Sequence, residues 1–114
     1  MKVHYLEIVT RDVDGVCATY ARLHGARFGE PEAALGNART AALPTGGRVG
    51  VRAPMHETEE PVVRPYVLVD DIQTATAAAV EGGAEIAHPP LEIPGLGTFA
   101  IYVQGGVHHG LWQV

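Results

Sequence analysis

Of the 114 residues only one is cysteine, one is tryptophan and, at Lys2, one is lysine. A lone Cys17 excludes an internal disulfide and a thiolate metal cluster. It falls on the apolar stripe of a predicted helix, where a free cysteine behaves as a small buried hydrophobe. No basic cluster occurs and the net charge is −5, which argues against a nucleic-acid partner. No apolar run approaches the roughly 20 residues that a membrane span needs. The first strand begins by Val3, leaving no room for a signal peptide, so the expectation is a cytoplasmic protein with no membrane partner. The glycine pairs lack the Gly-Lys-Ser/Thr ending of a phosphate loop, which removes nucleotide binding. Hydrophobic residues at 46% and charged ones at 18% are those of an ordinary globular chain, long enough at 114 residues to bury a core in one domain.

What is present is an internal repeat. Leu6-Glu7-Ile8-Val9 runs through Thr10 and Arg11 to Asp12 and a helical pattern; Tyr66-Val67-Leu68-Val69-Asp70 runs to Asp71 and another. Asp12 and Asp71 are 59 positions apart, and Gly46-Gly47 maps onto Gly105-Gly106 at the same offset. A fixed period with matching elements marks two copies of one unit. The copies span 1–53 and 64–114, joined by a linker over 54–63 that holds Pro54, Pro61, Glu57, Glu59 and Glu60.

In the first copy, alternation from Val3 to Val9 sends His4, Leu6 and Ile8 to one face and Tyr5, Glu7 and Val9 to the other. Asp12 is placed to cap a helix whose stripe is Val13, Val16, Cys17, Tyr20 and Leu23, ending at Gly25. Strands are predicted at Ala26–Phe28, Arg39–Leu43 and Arg48–Arg52, with Gly46-Gly47 as a hairpin turn. In the second copy Asp71 caps a helix with Ile72, Ala75, Ala79 and Val80 on one face, stopped by Gly82-Gly83. Strands follow around Ala84–Ala87, Thr98–Val103 and up to Trp112. The predicted fold class is α+β: two βαβββ modules forming a cupped mixed sheet with the helices outside.

This doubled βαβββ pattern resembles the vicinal oxygen chelate superfamily, which includes glyoxalase I, bleomycin-resistance proteins and extradiol dioxygenases. The second half carries most of the likeness, in Tyr66–Ile72, Glu81-Gly82-Gly83-Ala84, Ile93–Ala100 and Gly110-Leu111-Trp112-Gln113. In metal-dependent members, ligands project from the first and last strands of each unit. The resemblance places those positions on Tyr5, Val51, Arg64 and Gly110. A divalent cation wants imidazole or carboxylate, and none of the four supplies either. No cofactor is therefore expected; a divalent metal would need a β-bulge that turns His4 inward to join Glu7 and His108. The family's habits imply a homodimer.

Parity on the strands gives the expected pocket wall: Tyr5, Glu7, Arg64, Tyr66, His108 and Trp112. Aromatic walls with a few fixed polar groups suit a small-molecule partner. Arg64 is the type of group that grips a carboxylate, while the rings cover a flat apolar body. Glu7 and His108 are the candidate acid–base pair, against the plainer reading that Glu7 forms a buried ion pair with Arg64. His24, His56, His88 and His109 read as helix-end, loop or helix-side residues. The resulting expectation is a metal-independent small-molecule-binding protein. Its alternatives are a lyase, isomerase or dioxygenase of the same fold, or an antibiotic-sequestering protein.

Overall fold

Asp12 and Asp71 start the two helices. Asp12 accepts a hydrogen bond from the Gly15 N–H at 3.1 Å and opens α1 (Val13–His24); Asp71 accepts from the Thr74 N–H at 3.0 Å and opens α2 (Ile72–Glu81). Each carboxylate satisfies a backbone donor that the helix cannot, and the helix dipole favours its charge. Gly25 closes α1 in the left-handed conformation at φ 67, with its N–H on the Ala21 carbonyl.

The structure, a computed structural model, describes residues 1–114. Its strands are β1 (Val3–Val9), β2 (Arg39–Ala42), β3 (Arg48–Arg52), β4 (Val62–Leu68), β5 (Glu85–Ile93), β6 (Gly97–Gln104) and β7 (Val107–Gln113). The chain divides into two compact units: Tyr5–Val63, and Arg64–Val114 together with Met1–His4. In the first unit the strand order is β2-β3-β1, with β1 parallel to β3 and β2 antiparallel to it. In the second it is β4-β7-β6-β5, with β4 parallel to β7 and the rest antiparallel. The α+β class and the doubled mixed-sheet design are as the sequence predicts.

Each helix covers one sheet face. On α1 the residues Val13, Val16, Cys17 and Tyr20 pack with Ile8, Ala41, Val49 and Val51. Leu23, expected on that stripe, is 67% exposed. Burial raises the pKa of the Cys17 thiol, as befits a core residue. On α2 the inner residues are Ile72 and Ala75, packed with Ala100 and Leu111. Val80 lies outside the contact, and Thr76 takes an inner place by returning its hydroxyl to the Ile72 carbonyl at 2.9 Å. The Gln113 side chain accepts from the Ile72 N–H at 2.7 Å and ties β7 to the start of α2.

The strand expected at Ala26–Phe28 does not form. Gly25 and Gly29 bracket it and Pro31 follows, so its only ladder-like bond is from the Gly29 N–H to the Thr40 carbonyl. A single 3-10 turn at Ala33–Leu35 fills the interval before β2. Phe28 still packs on the core.

The 59-residue period also drifts by one. Glu7 and Tyr66 keep it, yet their partners across the parallel pairs are Gly50 and Gly110, which are 60 apart. The hairpin turns differ as well: β2 and β3 close at Ala42 and Arg48, whereas β6 and β7 close at Gln104 and Val107. Both partner glycines have rings lying over them. A Cβ on Gly50 would overlap the Tyr5 hydroxyl, and one on Gly110 would stand 2.5 Å from the Tyr66 ring. Gly110→Ala is therefore expected to cost about 1–3 kcal/mol by overpacking. Gly29→Ala, with no atom in the way of its Cβ, should stay within about 0.5 kcal/mol. Urea unfolding followed by Trp112 fluorescence checks both; equal midpoints would refute the ring-over-glycine account.

Candidate functional site

On the face of the second unit away from α2, three aromatic rings meet. Tyr66 on β4 stands perpendicular to Trp112 on β7 with centroids 5.9 Å apart, and edge-on to Phe99 on β6 at 6.0 Å. Phe99 and Trp112 are directly paired across the antiparallel strands, and their rings stack at 6.3 Å. Such offset and perpendicular pairs suit the ring quadrupoles, and they hold the plane of each ring. The Trp112 indole N–H donates to the Leu96 carbonyl at 3.2 Å, which fixes its rotation as well. Two imidazoles flank the group. His88 on β5 lies 4.7 Å from Phe99, and His4 lies 5.6 Å from Trp112.

The first unit carries charge instead. Arg52, 5% exposed, donates its Nε–H to Glu7 at 2.9 Å and grips Glu59 with both terminal nitrogens at 2.9 and 2.7 Å. One Nη1 hydrogen also reaches the Ala53 carbonyl at 3.2 Å. Glu59 accepts a further bond from the Met55 N–H at 2.7 Å. The hydrogen bond from Arg52 is the main cause that holds the Glu59 carboxyl down to about 2, and the same bond raises the pKa of Arg52 above its already high ordinary value. The set holds two carboxylates on one guanidinium, a net charge of −1. A forked guanidinium is the side chain that fits this bidentate geometry.

Of the six expected wall residues, the structure joins Tyr66 to Trp112 in direct ring contact. Arg64 is half-buried on β4, two residues before Tyr66 and so on the same strand face. His108 is exposed and paired with Val103 near the start of β7, four residues, or about 13 Å, along the strand from Trp112. It makes no ring contact with the aromatic group. Tyr5 and Glu7 belong to the first unit, buried on the face away from α1. Glu7 forms an ion pair with Arg52, the last residue of β3, which is not among the wall residues that strand parity predicts.

The position count taken from the family fails at Val51. That residue is fully buried in the core beneath α1. Its neighbour Arg52 points the other way. A phenol at Tyr5, an apolar side chain at Val51, a guanidinium at Arg64 and, at Gly110, a glycine covered by the Tyr66 ring do not supply the imidazole or carboxylate that a divalent cation wants. Nor do any three His, Cys, Asp or Glu side chains gather where they could hold a metal ion. The residues present do not fit the resident metal of the metal-dependent relatives.

His4 and His88 differ from their sequence reading. The Lys2 carbonyl accepts from the Leu68 N–H at 2.8 Å, so the first residues of β1 are drawn to β4 and His4 meets Trp112 rather than the α1 core. Burial, then the Lys2 charge, lowers the pKa of His4. His88 sits within a strand, not a loop. Pro89 and Pro90 are tolerated because β5 is the last strand of its sheet, and its register with β6 is irregular there. His109 stacks on Tyr102 at 4.8 Å on the helix side, as parity predicts.

No protein-family model matches the chain, and no curated protein does either. Solved structures do. A hypothetical protein, BH1468 from Bacillus halodurans C-125, superposes with a TM-score of 0.75 at 14% identity, covering 99% of this chain and 94% of that one. Methylmalonyl-CoA epimerase from Mycobacterium tuberculosis gives 0.74 at 16% identity, over 97% and 86%. A Streptomyces coelicolor methylmalonyl-CoA epimerase in complex with 2-nitronate-propionyl-CoA gives 0.71 at 14%, over 99% and 96%. Likeness at such identity is likeness of fold: the chain has the vicinal oxygen chelate fold. No helix in it is long and apolar enough to cross a membrane.

Two measurements test the charged set. Arg52→Met leaves two carboxylates facing each other out of water and is expected to cost about 3–5 kcal/mol, more than Glu7→Gln, which keeps an acceptor for the Arg52 Nε–H. The reverse order in urea unfolding would refute the arrangement. The depressed pKa of Glu59 gives stability that is complete above its unfolded value of about 4.5 and is lost as pH falls through its folded value of about 2. Glu59→Gln should therefore be less stable than the native chain at neutral pH and lose less on acidification through that window. Parallel acid-unfolding curves for the two proteins would contradict this.

Proposed function

We propose that this chain binds, without a metal ion, a small molecule with a flat apolar or aromatic body and an anionic or polar end. The observation that carries the reading is the Tyr66–Phe99–Trp112 group, whose ring planes are held by mutual contact and by the Trp112 hydrogen bond. Rings fixed before binding lose little freedom when a flat ligand packs on them. Arg64, on the same strand face as Tyr66, supplies a permanent positive charge for the ligand's anionic end. That charge makes the face a poor surface for cationic antibiotics, which sets the sequestering reading below this one. His108 is a further proposed ligand contact of the second unit; Tyr5 and Glu7 are proposed as ligand contacts of the first unit.

A second reading is an isomerase or other proton-transfer enzyme in which the Glu7 carboxylate moves the proton. It is favoured by the burial of Glu7, 8% exposed, and by Arg52, which fixes one carboxylate oxygen and leaves the orientation of the group defined. Two of the structures that share the fold are epimerases. His108, exposed at the start of β7, is the second proposed proton-transfer group.

Trp112 is the sole tryptophan, so its fluorescence reports on the aromatic group directly. The native protein should show saturable quenching by an aromatic carboxylate from a panel that also includes acyl-CoA thioesters. Arg64→Met should weaken that binding about tenfold or more, the worth of one charge-assisted hydrogen bond. Glu7→Gln should leave affinity nearly unchanged if Glu7 acts in turnover, and reduce it if Glu7 only binds. Failure of every aromatic ligand to perturb Trp112 would sink the leading reading.

A further inference from the structure

The aromatic group has a feature that the binding proposal does not use. His88 is half-buried, its ring lies 4.7 Å from Phe99 at an interplanar angle of 30°, and its Nδ1 is 2.7 Å from the Pro89 carbonyl oxygen. A carbonyl only accepts, so Nδ1 must carry the proton in that contact. With Nδ1 protonated in this way, a neutral ring holds its lone pair on Nε2. Ring contact sets the plane of the imidazole, and the hydrogen bond sets its rotation. The result is one oriented acceptor beside an apolar wall. His109, by contrast, commits its Nε2 to the Gln104 carbonyl at 3.1 Å, and His56 is engaged by Thr58.

We infer that His88 Nε2 receives an O–H from the ligand, and that the ligand class is a hydroxylated aromatic carboxylic acid. This rests on the proposed aromatic binding face and narrows it. Length narrows it further. Arg64 is on β4 and His88 on β5, about 14 Å apart across the three strand spacings of the order β4-β7-β6-β5; His88 shares its register row with Tyr66, so Arg64 is also two residues, about 7 Å, away along the strand. The two side chains cover part of that span, and a body of two fused rings fits the rest better than one ring. The carboxylate lies at the Arg64 end, the rings on Tyr66, Trp112 and Phe99, and the hydroxyl donates to His88.

Three naphthoates separate this inference from the reading beneath it. Calorimetry of the full chain at about pH 8 is run with 2-naphthoate, its 6-hydroxy derivative and its 6-methoxy derivative. The hydroxy compound should bind about tenfold more tightly than the parent, the worth of one well-made hydrogen bond at a half-buried site. The methoxy compound, which cannot donate, should show no such gain. His88→Phe should erase the preference while keeping affinity for the parent, and His88→Gln, which retains an acceptor, should restore part of it. A urea midpoint for each variant shows that it is folded. Equal binding of all three compounds to the native protein, or a hydroxyl preference that survives in His88→Phe, overturns the inference alone. No binding by any of them overturns the aromatic-face reading and this inference together.

Discussion

In each unit the first strand runs parallel to the last, and a glycine faces it at one register position. Glu7 is opposite Gly50, and Tyr66 is opposite Gly110. The missing side chain lets a tyrosine ring lie down over the neighbouring strand, Tyr5 in one unit and Tyr66 in the other. Much else depends on that contact. A strand shifted by one residue would bring a valine or leucine under the ring and turn the helix-side core outward, since strand side chains alternate. The ring over glycine therefore fixes the register of β3 and β7, and the register fixes which residues face away from the helices. Arg52 and Trp112 owe their positions to it.

The two units then use that face differently. In the first, a guanidinium between two carboxylates gathers β1, β3 and the linker, because Glu59 lies in the segment after β3 and is gripped from both sides by Arg52. An acidic, proline-bearing segment reads as solvated chain, and most of it is. Glu57 and Glu60 are exposed, while Glu59 alone is drawn in. In the second unit three rings meet on that face, with Arg64 half-buried on the same face of β4. One face is thus specified by hydrogen-bond geometry and the other by packing.

Periodic signals were legible in the sequence; signals that depend on a turn or an edge were not. Both helix starts, the helix faces through Tyr20 and Ala75, and the pairing of Tyr66 with Trp112 follow from alternation and capping, which are local. The position of Val51 does not, because the glycine pairs suggest one period of 59 whereas the glycines that face the first strands are 60 apart. Arg52 was hidden because it is the last residue of β3, where an arginine reads as a solvated strand end. His88 was hidden by its prolines, which mark a loop everywhere except on an edge strand. His4 follows strand parity only if the whole of β1 belongs to one unit, and its first two residues pack with the other.

The contrast with the metal-dependent members of the fold also follows from the glycine. Gly110 looks at first like a ligand position that has lost its side chain. In the structure it is the floor beneath the Tyr66 ring, where even a methyl group would stand 2.5 Å from ring carbon. A carboxylate or imidazole at that position and a tyrosine at 66 are therefore mutually exclusive. Regaining a ligand there would require the ring to leave, and with it the perpendicular contacts that hold Trp112 and Phe99. The Tyr66 ring and a side chain at position 110 are alternative fillings of one space, and a residue with no side chain leaves that space to the ring.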